Sequence, residues 1–412
     1  MFVLRRIYCR VFQLAFRAAL PVLPYRNPKI IPSDAGIPDV LRKHGVGSVM
    51  IVTDAGIRSL GLTAFLEKTL KENDISYCAF YGTLLGTVRH KGYVPWDANP
   101  TIWNVEEAKN LYLKEGAQAI IAFGGGSSMD CAKAAGARIV KPHQSISQMK
   151  GLLKVHKKLP LLIAIPTTAG TGSETTLAAV ITDSEKHYKY PINDFSLIPR
   201  YAVLDYHETV GLPKMITATT GMDALTHAVE AYIGGSTTKE TRKMAEEAVT
   251  LIHQHLKNAY DDGHNKEARK GMLKAAYCAG VAFTKSYVGY VHAVAHSLGG
   301  QYGTPHGLAN AVILPVVLRM YGPACEKKLA CLARKAGVVD EKLNDREASR
   351  DFIRWIQKMN DSMEIPRTIS GIHEKDISMM AKHADQEGNP LYPVPVLMNR
   401  KELEQIYYKV KG

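Results

Sequence analysis

The chain has 412 residues, 46% of them apolar, enough to fill the cores of two or three domains, which excludes a disordered tail, a mini-protein and a fibrous repeat. Its 52 basic residues against 39 acidic ones give a net charge of +13, which raises nucleic acid or an anionic membrane as a partner. Six of those charges, Arg5, Arg6, Arg10, Arg17, Arg26 and Lys29, fall in residues 1–33, where there is no acid. The rest of the chain is only mildly basic and offers no aromatic-interleaved basic surface for nucleic acid.

Within that arm Arg6, Arg10, Gln13 and Arg17 recur at helical spacing, with Ile7, Tyr8, Val11, Leu14 and Phe16 over the rest of the surface. The pattern predicts a basic amphipathic helix stopped by Pro21 and Pro24. Such a helix has three open roles: docking its apolar side on the body or a partner subunit, targeting, and weak peripheral membrane contact. A membrane span is not among them, because no apolar run reaches roughly 18 to 20 residues. The six cysteines form no CxxC pair and no disulfide framework, which points to a reducing compartment and a cytoplasmic location.

From Lys43 onward, strand-like runs at Ser48–Thr53, Tyr77–Tyr81, Ala119–Phe123 and Leu161–Ile165 alternate with helical segments, which predicts a parallel sheet covered by helices. After Pro213 the segments are long and helical, as in Thr241–Tyr260 and Lys266–Thr284. The expected organisation is an arm over 1–33, an α/β domain over 34–211 and an all-helical domain over 212–412.

The run AIIAFGGGSSMDCAKA sets Gly124, Gly125 and Gly126 after a buried strand and Ser127, Ser128 and Asp130 at the start of a helix. Glycines let an anion approach the backbone, and the free N–H groups of a helix start bind phosphate. It is not GxGxxG, and the next acid after Asp130 is Glu174, so the ordinary Rossmann fingerprint fails and a plain strand-to-helix turn stays open. A second turn, IPTTAGTGSET at Ile165–Thr175, supplies the hydroxyls of Thr167, Thr168, Thr171 and Ser173 without the GK[ST] ending of an NTPase loop. On adjacent strand ends, two such turns would clasp a dinucleotide from both sides.

In the helical half, Asp223 with His227 and His292 with His296 stand four residues apart, each pair on one helix face, and His306 follows ten residues on. Imidazoles with one carboxylate suit Fe(II), Zn(II) or a similar ion acting as a Lewis acid; histidines satisfied by carbonyls are the plain alternative. His253 and His255, two apart, share no face and are expected at the surface.

The motifs TD (Thr53, Asp54), NPT (Asn99–Thr101), GGGS, PTTAGTGSE, LP (Leu212, Pro213), DALTHAVEAY and HAVAHSLGGQYGTPHGLANA occur in one order from about Pro28 to the C-terminus. In them the chain resembles the iron-containing alcohol dehydrogenases. The resemblance implies a dinucleotide-binding α/β domain followed by an all-helical metal domain. It implies Asp223, His227, His292 and His306 as ligands of one divalent metal, Fe(II) ahead of Zn(II), with His296 near the nicotinamide as a proton relay and not a ligand. Asp54 would meet the adenosine ribose, where a carboxylate repels a 2′-phosphate and selects NAD. Gly125, Gly126 and Ser127 would hold the pyrophosphate, and Asn99, Thr167, Thr168, Thr171 and Lys189 would complete the cofactor site. The implied reaction interconverts a small alcohol and its aldehyde or ketone in a homodimer or larger homo-oligomer, with Phe283, Tyr287 and Tyr302 as candidates for the substrate pocket.

One stretch departs from the family pattern. Residues 84–97 form an added loop, and Ala98 stands where the first proline of PNPT is expected. Tyr81–Asp97 resembles the opening motif of LicD-type phosphocholine transferases, but Asp97 is followed by Ala98 and Asn99, without the clustered carboxylates that hold a metal for phosphoryl transfer. Arg89, His90 and Lys91 in this loop either approach the cofactor phosphates or are solvated. A phosphotransferase and a catalytically silent, membrane-surface or filament-forming protein are the competing readings.

Overall fold

The computed structural model describes residues 2–81, 99–184 and 188–412. The loop 84–97, with Arg89, His90 and Lys91, lies outside the described residues. The chain divides by contact into two units, one of residues 24–168 with 172–209, the other of residues 1–23 with 169–171 and 210–412.

The first unit contains β1 (Lys29–Ile31), α2 (Ile37–Lys43), β2 (Ser48–Thr53), α3 (Ala55–Ser59), α4 (Ala64–Glu72), β3 (Ser76–Tyr81), α5 (Ile102–Lys114), β4 (Ala119–Gly124) and α6 (Gly126–Val140). After them come β5 (Gly151–Leu152), β6 (Leu161–Pro166), β7 (Ala178–Asp183), β8 (Tyr188–Asn193) and β9 (Tyr201–Val203). The main sheet runs β1-β9-β6-β4-β2-β3, every pair parallel. Its central strands are apolar without alternation, and β4 is buried at every position, as a sheet covered on both faces requires. β5, β8 and β7 form a small second sheet.

Residues 24–33, grouped with the arm on sequence, belong to this unit. Lys29 pairs with Tyr201 and Ile31 with Val203, while Arg26 donates to the Ile198 carbonyl. A three-residue strand whose first two residues are exposed leaves no period to read.

A buried acidic pair, Asp34 and Glu208, lies in the turns that follow β1 and β9. Both carboxylate oxygens of Asp34 are buried without a partner, as is Oε2 of Glu208. Burial, reinforced by Asp205, pushes Asp34 up to about 7; burial with Asp34 and Asp205 pushes Glu208 to about 8. Both groups therefore hold protons in the folded chain that the unfolded chain releases near pH 4, so stability is full below that pH and falls as pH rises through 7 and 8. Asp34→Asn is expected to raise stability at pH 8 by on the order of 2 to 3 kcal/mol and to change it little at pH 4, read by denaturant unfolding at both pH values. Equal effects at both would remove the acid pair as the cause.

The second unit is helical: α1 (Phe2–Ala19), α7 (Lys214–Ile233), α8 (Lys239–Asp261), α9 (Lys266–Ser286), α10 (Tyr290–Tyr302), α11 (His306–Tyr321), α12 (Pro323–Lys335), α13 (Asp345–Ser362), α14 (Glu374–Gly388) and α15 (Arg400–Val410). Side-chain caps set the starts of α8, α9, α13 and α15, with capping boxes at Thr238/Thr241 and Asn399/Glu402. α7 is buried from Gly221 to Ile233, the central position from which it can offer polar side chains to an enclosed site. His253 and His255 are half-buried where full exposure was expected, His253 edge-on to Trp355.

α1 docks through a face that mixes Arg10 and Gln13 with Cys9 and Phe16, where docking by the apolar side was one of the roles open to it. Arg10 donates to the carbonyls of Val394 (2.7 Å) and Pro395 (2.9 Å), Gln13 to those of Tyr392 (2.7 Å) and Pro390 (3.2 Å), and Arg5 pairs with Asp385 at 2.8 Å. The segment 390–395 presents backbone acceptors, and only a donor-bearing helix face satisfies them.

Candidate active site

Three helices of the second unit converge on one cluster. α7 carries Asp223 and His227, α10 carries His292, and α11 opens at His306; their donor atoms all lie within 4.8 Å of one another. Glycines permit the close approach. A Cβ on Gly307 would lie 2.5 Å from the Thr219 carbonyl oxygen, and one on Gly289 2.6 Å from Glu230 Oε1. Asp223 and His292 are buried, and His306 is partly open.

His292 is held from behind. His292 Nδ1 lies 2.6 Å from Glu230 Oε2, and the same carboxylate accepts from the N–H groups of Gly289 (2.8 Å) and Val291 (2.9 Å), tying the start of α10 to α7. That bond leaves Nε2 of His292 toward Asp223, 3.7 Å away. His227 stacks on Phe283 with ring centres 4.0 Å apart. Nδ1 of His227 is buried without a partner, and Asn310 Nδ2 sits 2.6 Å from Asp223 Oδ1 and 3.2 and 3.1 Å from the Nε2 atoms of His292 and His306.

This set fits a divalent cation. Burial raises Asp223, but His227, His306 and His292 outweigh it and hold the carboxylate ionised far below its usual range. Burial drives His227 well down, so it is neutral. Burial also opposes charge on His292, yet Asp223 and Glu230 draw it up to about 9, placing a proton between two carboxylates where a cation competes. A carboxylate and imidazole nitrogens around one point are donors for Fe(II) or Zn(II). His296 stands apart from the four: its Nδ1 lies 2.6 Å from Glu387 Oε1, which also accepts from the Tyr392 hydroxyl at 2.7 Å. Glu230, Asn310, Glu387 and Tyr392 are the residues sequence reasoning missed. Glu230 had a signal, lying seven residues after Asp223 on one helix face; Glu387 is 91 residues from its histidine and had none. Glu230→Gln is expected to weaken metal retention by about 10- to 100-fold, read by competition with a chelator.

In the first unit the two glycine turns are neighbours, since β4 pairs with β6 in a register that sets Gly124 against Pro166. The Thr167 N–H donates to the Gly124 carbonyl at 3.0 Å, and a Cβ on Gly125 would lie 3.7 Å from Thr168 Oγ1. Gly124 has φ +149°, and any side chain there would strike Ser128 at 2.5 Å. Gly125 caps α6, leaving Gly126 and Ser127 in its first turn. From β2 the chain passes to β3 on one side and β4 on the other, so the carboxyl ends of β2 and β4, at Asp54 and Gly125, flank the point where strand order reverses and where open α/β sheets bind ligands. Asp54 Oδ1 also accepts the Ile57 N–H at 2.9 Å, capping α3.

Asn99 sits before α5, held to β7 by the bond from the Thr182 N–H to the Pro100 carbonyl, and Lys189 lies opposite Thr182 on β8. Thr171 clusters with the helical unit. Asp130, in the opening turns of α6 as expected, accepts from Ser173 Oγ (2.9 Å) and the Val180 N–H (3.0 Å). Of the pocket candidates, Phe283 lies against His227, Tyr287 packs edge-on with Phe16, and Tyr302 donates to Asp376.

Comparison with known proteins matches residues 33–206 to the model of the family "Iron-containing alcohol dehydrogenase" and residues 217–410 to that of the "Fe-containing alcohol dehydrogenase family, C-terminal". The chain belongs to the iron-containing alcohol dehydrogenase family. It is 35% identical over 350 residues to alcohol dehydrogenase 4 of Saccharomyces cerevisiae, covering 84% of this chain and 86% of that one. Against the NAD-dependent methanol dehydrogenase of Bacillus methanolicus it is 34% identical over 349 residues, 84% and 88% of the two chains. The solved alcohol dehydrogenase of Oenococcus oeni superposes with a TM-score of 0.86 at 33% identity, covering 94% of this chain and all of that one. The chain is an alcohol oxidoreductase of this family, and neither the phosphotransferase nor the silent reading finds support among these relatives.

Proposed function

We propose that this alcohol dehydrogenase interconverts a small alcohol and its carbonyl compound with NAD(H) and one Fe(II) held by Asp223, His227, His292 and His306, Zn(II) being the alternative ion. The convergence of those four donors carries the reading. A divalent ion held there would supply Lewis acidity toward the alcohol or carbonyl oxygen, and bound NAD(H) would supply the hydride chemistry. Glu230 fixes the ring of His292, so Nε2 is the nitrogen turned to the site. His296, its side chain 38% exposed and its Nδ1 committed to Glu387, keeps Nε2 to hold a proton and move it toward solvent.

Gly125, Gly126 and Ser127 would seat the pyrophosphate at the start of α6, with Asn99, Thr167, Thr168, Thr171 and Lys189 around the rest of the cofactor. Asp54 repels a 2′-phosphate and selects NAD. Asp54→Ser keeps a capping oxygen for α3 and is expected to raise the NADP-to-NAD ratio of kcat/KM by about tenfold or more; an unchanged ratio would release Asp54 from this role. The cysteines are all free thiols, which suits a cytoplasmic protein, and light scattering tests the expected homodimer or larger assembly. The reading as a whole is tested with purified protein loaded with Fe(II) or Zn(II) and offered a panel of primary alcohols and aldehydes, following NADH absorbance. A metal-loaded protein inert toward the whole panel would overturn it.

A further inference from the structure

Where the end of α11 and the start of α12 meet α13 lies a groove of about 480 Å³, a size usual for small-molecule sites, and none of its lining residues belongs to the donor cluster or the cofactor turns. Buried Leu318 and Ile353 give it an apolar lining, while Arg319, Arg346, Arg350 and Arg354 set four cations in it against one acid, Glu326. Arg346, Arg350 and Arg354 recur on one face of α13, about 6 Å apart along the axis, where like charges repel. Two of the four are already engaged: Arg354 pairs with Asp351 at 2.7 Å, and Arg319 donates to the neutral side chain of Gln357. Arg346 and Arg350 make no hydrogen bond or ion pair among the described residues. A second observation points to a ligand. Ser349, on the same face and only 3% exposed, lines the groove, and its hydroxyl has no hydrogen-bond partner among the described residues. A recessed hydroxyl left unsatisfied calls for a partner from outside the chain.

We propose that this groove binds a small polyol carrying two phosphate groups. Four cations against one acid leave three net charges in the lining, which two phosphates at about −1.5 to −2 each near pH 7 balance. All four cations are arginines, whose planar fork meets phosphate oxygens in pairs where lysine offers only a point charge. Arg346 and Arg350, one turn apart and without partners, take the first phosphate together with the Ser349 hydroxyl between them. Arg319 and Arg354, each holding a single local partner, take the second. Glu326 disfavours a ligand that is anionic throughout and accepts from hydroxyls on the carbon body between the phosphates. The volume and the recessed Ser349 select a ligand that enters the groove over a lipid surface or an acidic protein face laid across it.

The test is isothermal titration calorimetry of the full-length, metal-loaded enzyme with NAD present, using fructose 1,6-bisphosphate as the probe. One-to-one binding is expected, with an affinity that falls as salt is added. Arg346→Gln with Arg350→Gln is expected to weaken binding at least about tenfold, with alcohol oxidation unchanged. Ser349→Ala is expected to weaken it about two- to tenfold, and because it removes an oxygen that holds nothing in the fold, it decides the matter if the arginine pair destabilises the helix. Tricarballylate, whose carboxylates carry fewer acceptor oxygens and less charge than two phosphates, is expected to bind at least about tenfold more weakly. A parent protein that does not bind the bisphosphate, variants that bind it as the parent does, or tricarballylate bound as tightly would overturn the proposal.

Discussion

His292→Ala is expected to leave a folded protein that neither retains a divalent metal nor turns over alcohol, with kcat/KM lowered by about a thousandfold or more. The magnitude follows from Lewis-acid polarisation worth several kcal/mol, at about 1.4 kcal/mol per tenfold. The substitution removes the one ring shared between Glu230 and the donor cluster, so Glu230 loses its 2.6 Å partner while keeping the N–H groups of Gly289 and Val291. Those two bonds still tie α10 to α7, which is why the loss should read as chemistry more than unfolding. Metal content by elemental analysis and NADH formation check it together. An active variant with a full complement of metal would end the assignment of His292, and a variant with full metal but no turnover would make His292 part of the chemistry and not of the metal cage.

The largest stability effect should come from Lys133, which is wholly buried in α6. Its Nζ donates to the carbonyls of Ser173 (2.7 Å) and Ala178 (2.9 Å) and the hydroxyls of Ser173 (2.9 Å) and Thr176 (2.7 Å), and stands 3.9 Å from Asp130. Lys133→Met removes the shared donor of these acceptors and the cation beside Asp130, whose carboxylate keeps its bonds from Ser173 and Val180, a loss expected to cost about 3 to 5 kcal/mol in denaturant unfolding. Because these bonds hold the 173–178 turn to the helix that opens at Gly126, NAD affinity should fall with stability. Adding Asp130→Leu removes the stranded charge and should recover part of the loss; a double variant no better than the single would show that the acceptors and not the carboxylate set the cost.

Lys133 also marks a boundary of what could be read in the chain. It lies in CAKAAGA, a run of small residues about two turns past the glycines, where a charge in an otherwise buried helix was visible but its purpose was not. Its acceptors are 40 to 45 residues away, brought near only when β7 and the turn before it pack on α6. Asp130 is a like case: its place at a helix opening was legible, but its partners Ser173 and Val180, 43 and 50 residues on, were not. On α1 the helix and its amphipathic pattern were plain, but which face docks was decided by the carbonyls at 390–395, which local spacing does not contain.

What the chain declares locally is what local physics enforces. Apolar runs of strand length, glycines between strand and helix, and ligands four apart on a helix face are set by backbone sterics and helical period, so the alternating sheet, the two turns and the Asp223/His227 and His292/His296 pairs were legible from residue order. What the fold alone decided is every relation that spans many residues. Those are the convergence of α7, α10 and α11 on one cation-sized point, Glu230 behind His292, Glu387 behind His296, and the placing of Asp54 and Gly125 on either side of the strand reversal. Such pairings depend on which buried polar groups must find partners once the helices and sheets have packed, and that requirement acts in three dimensions, without a period along the chain.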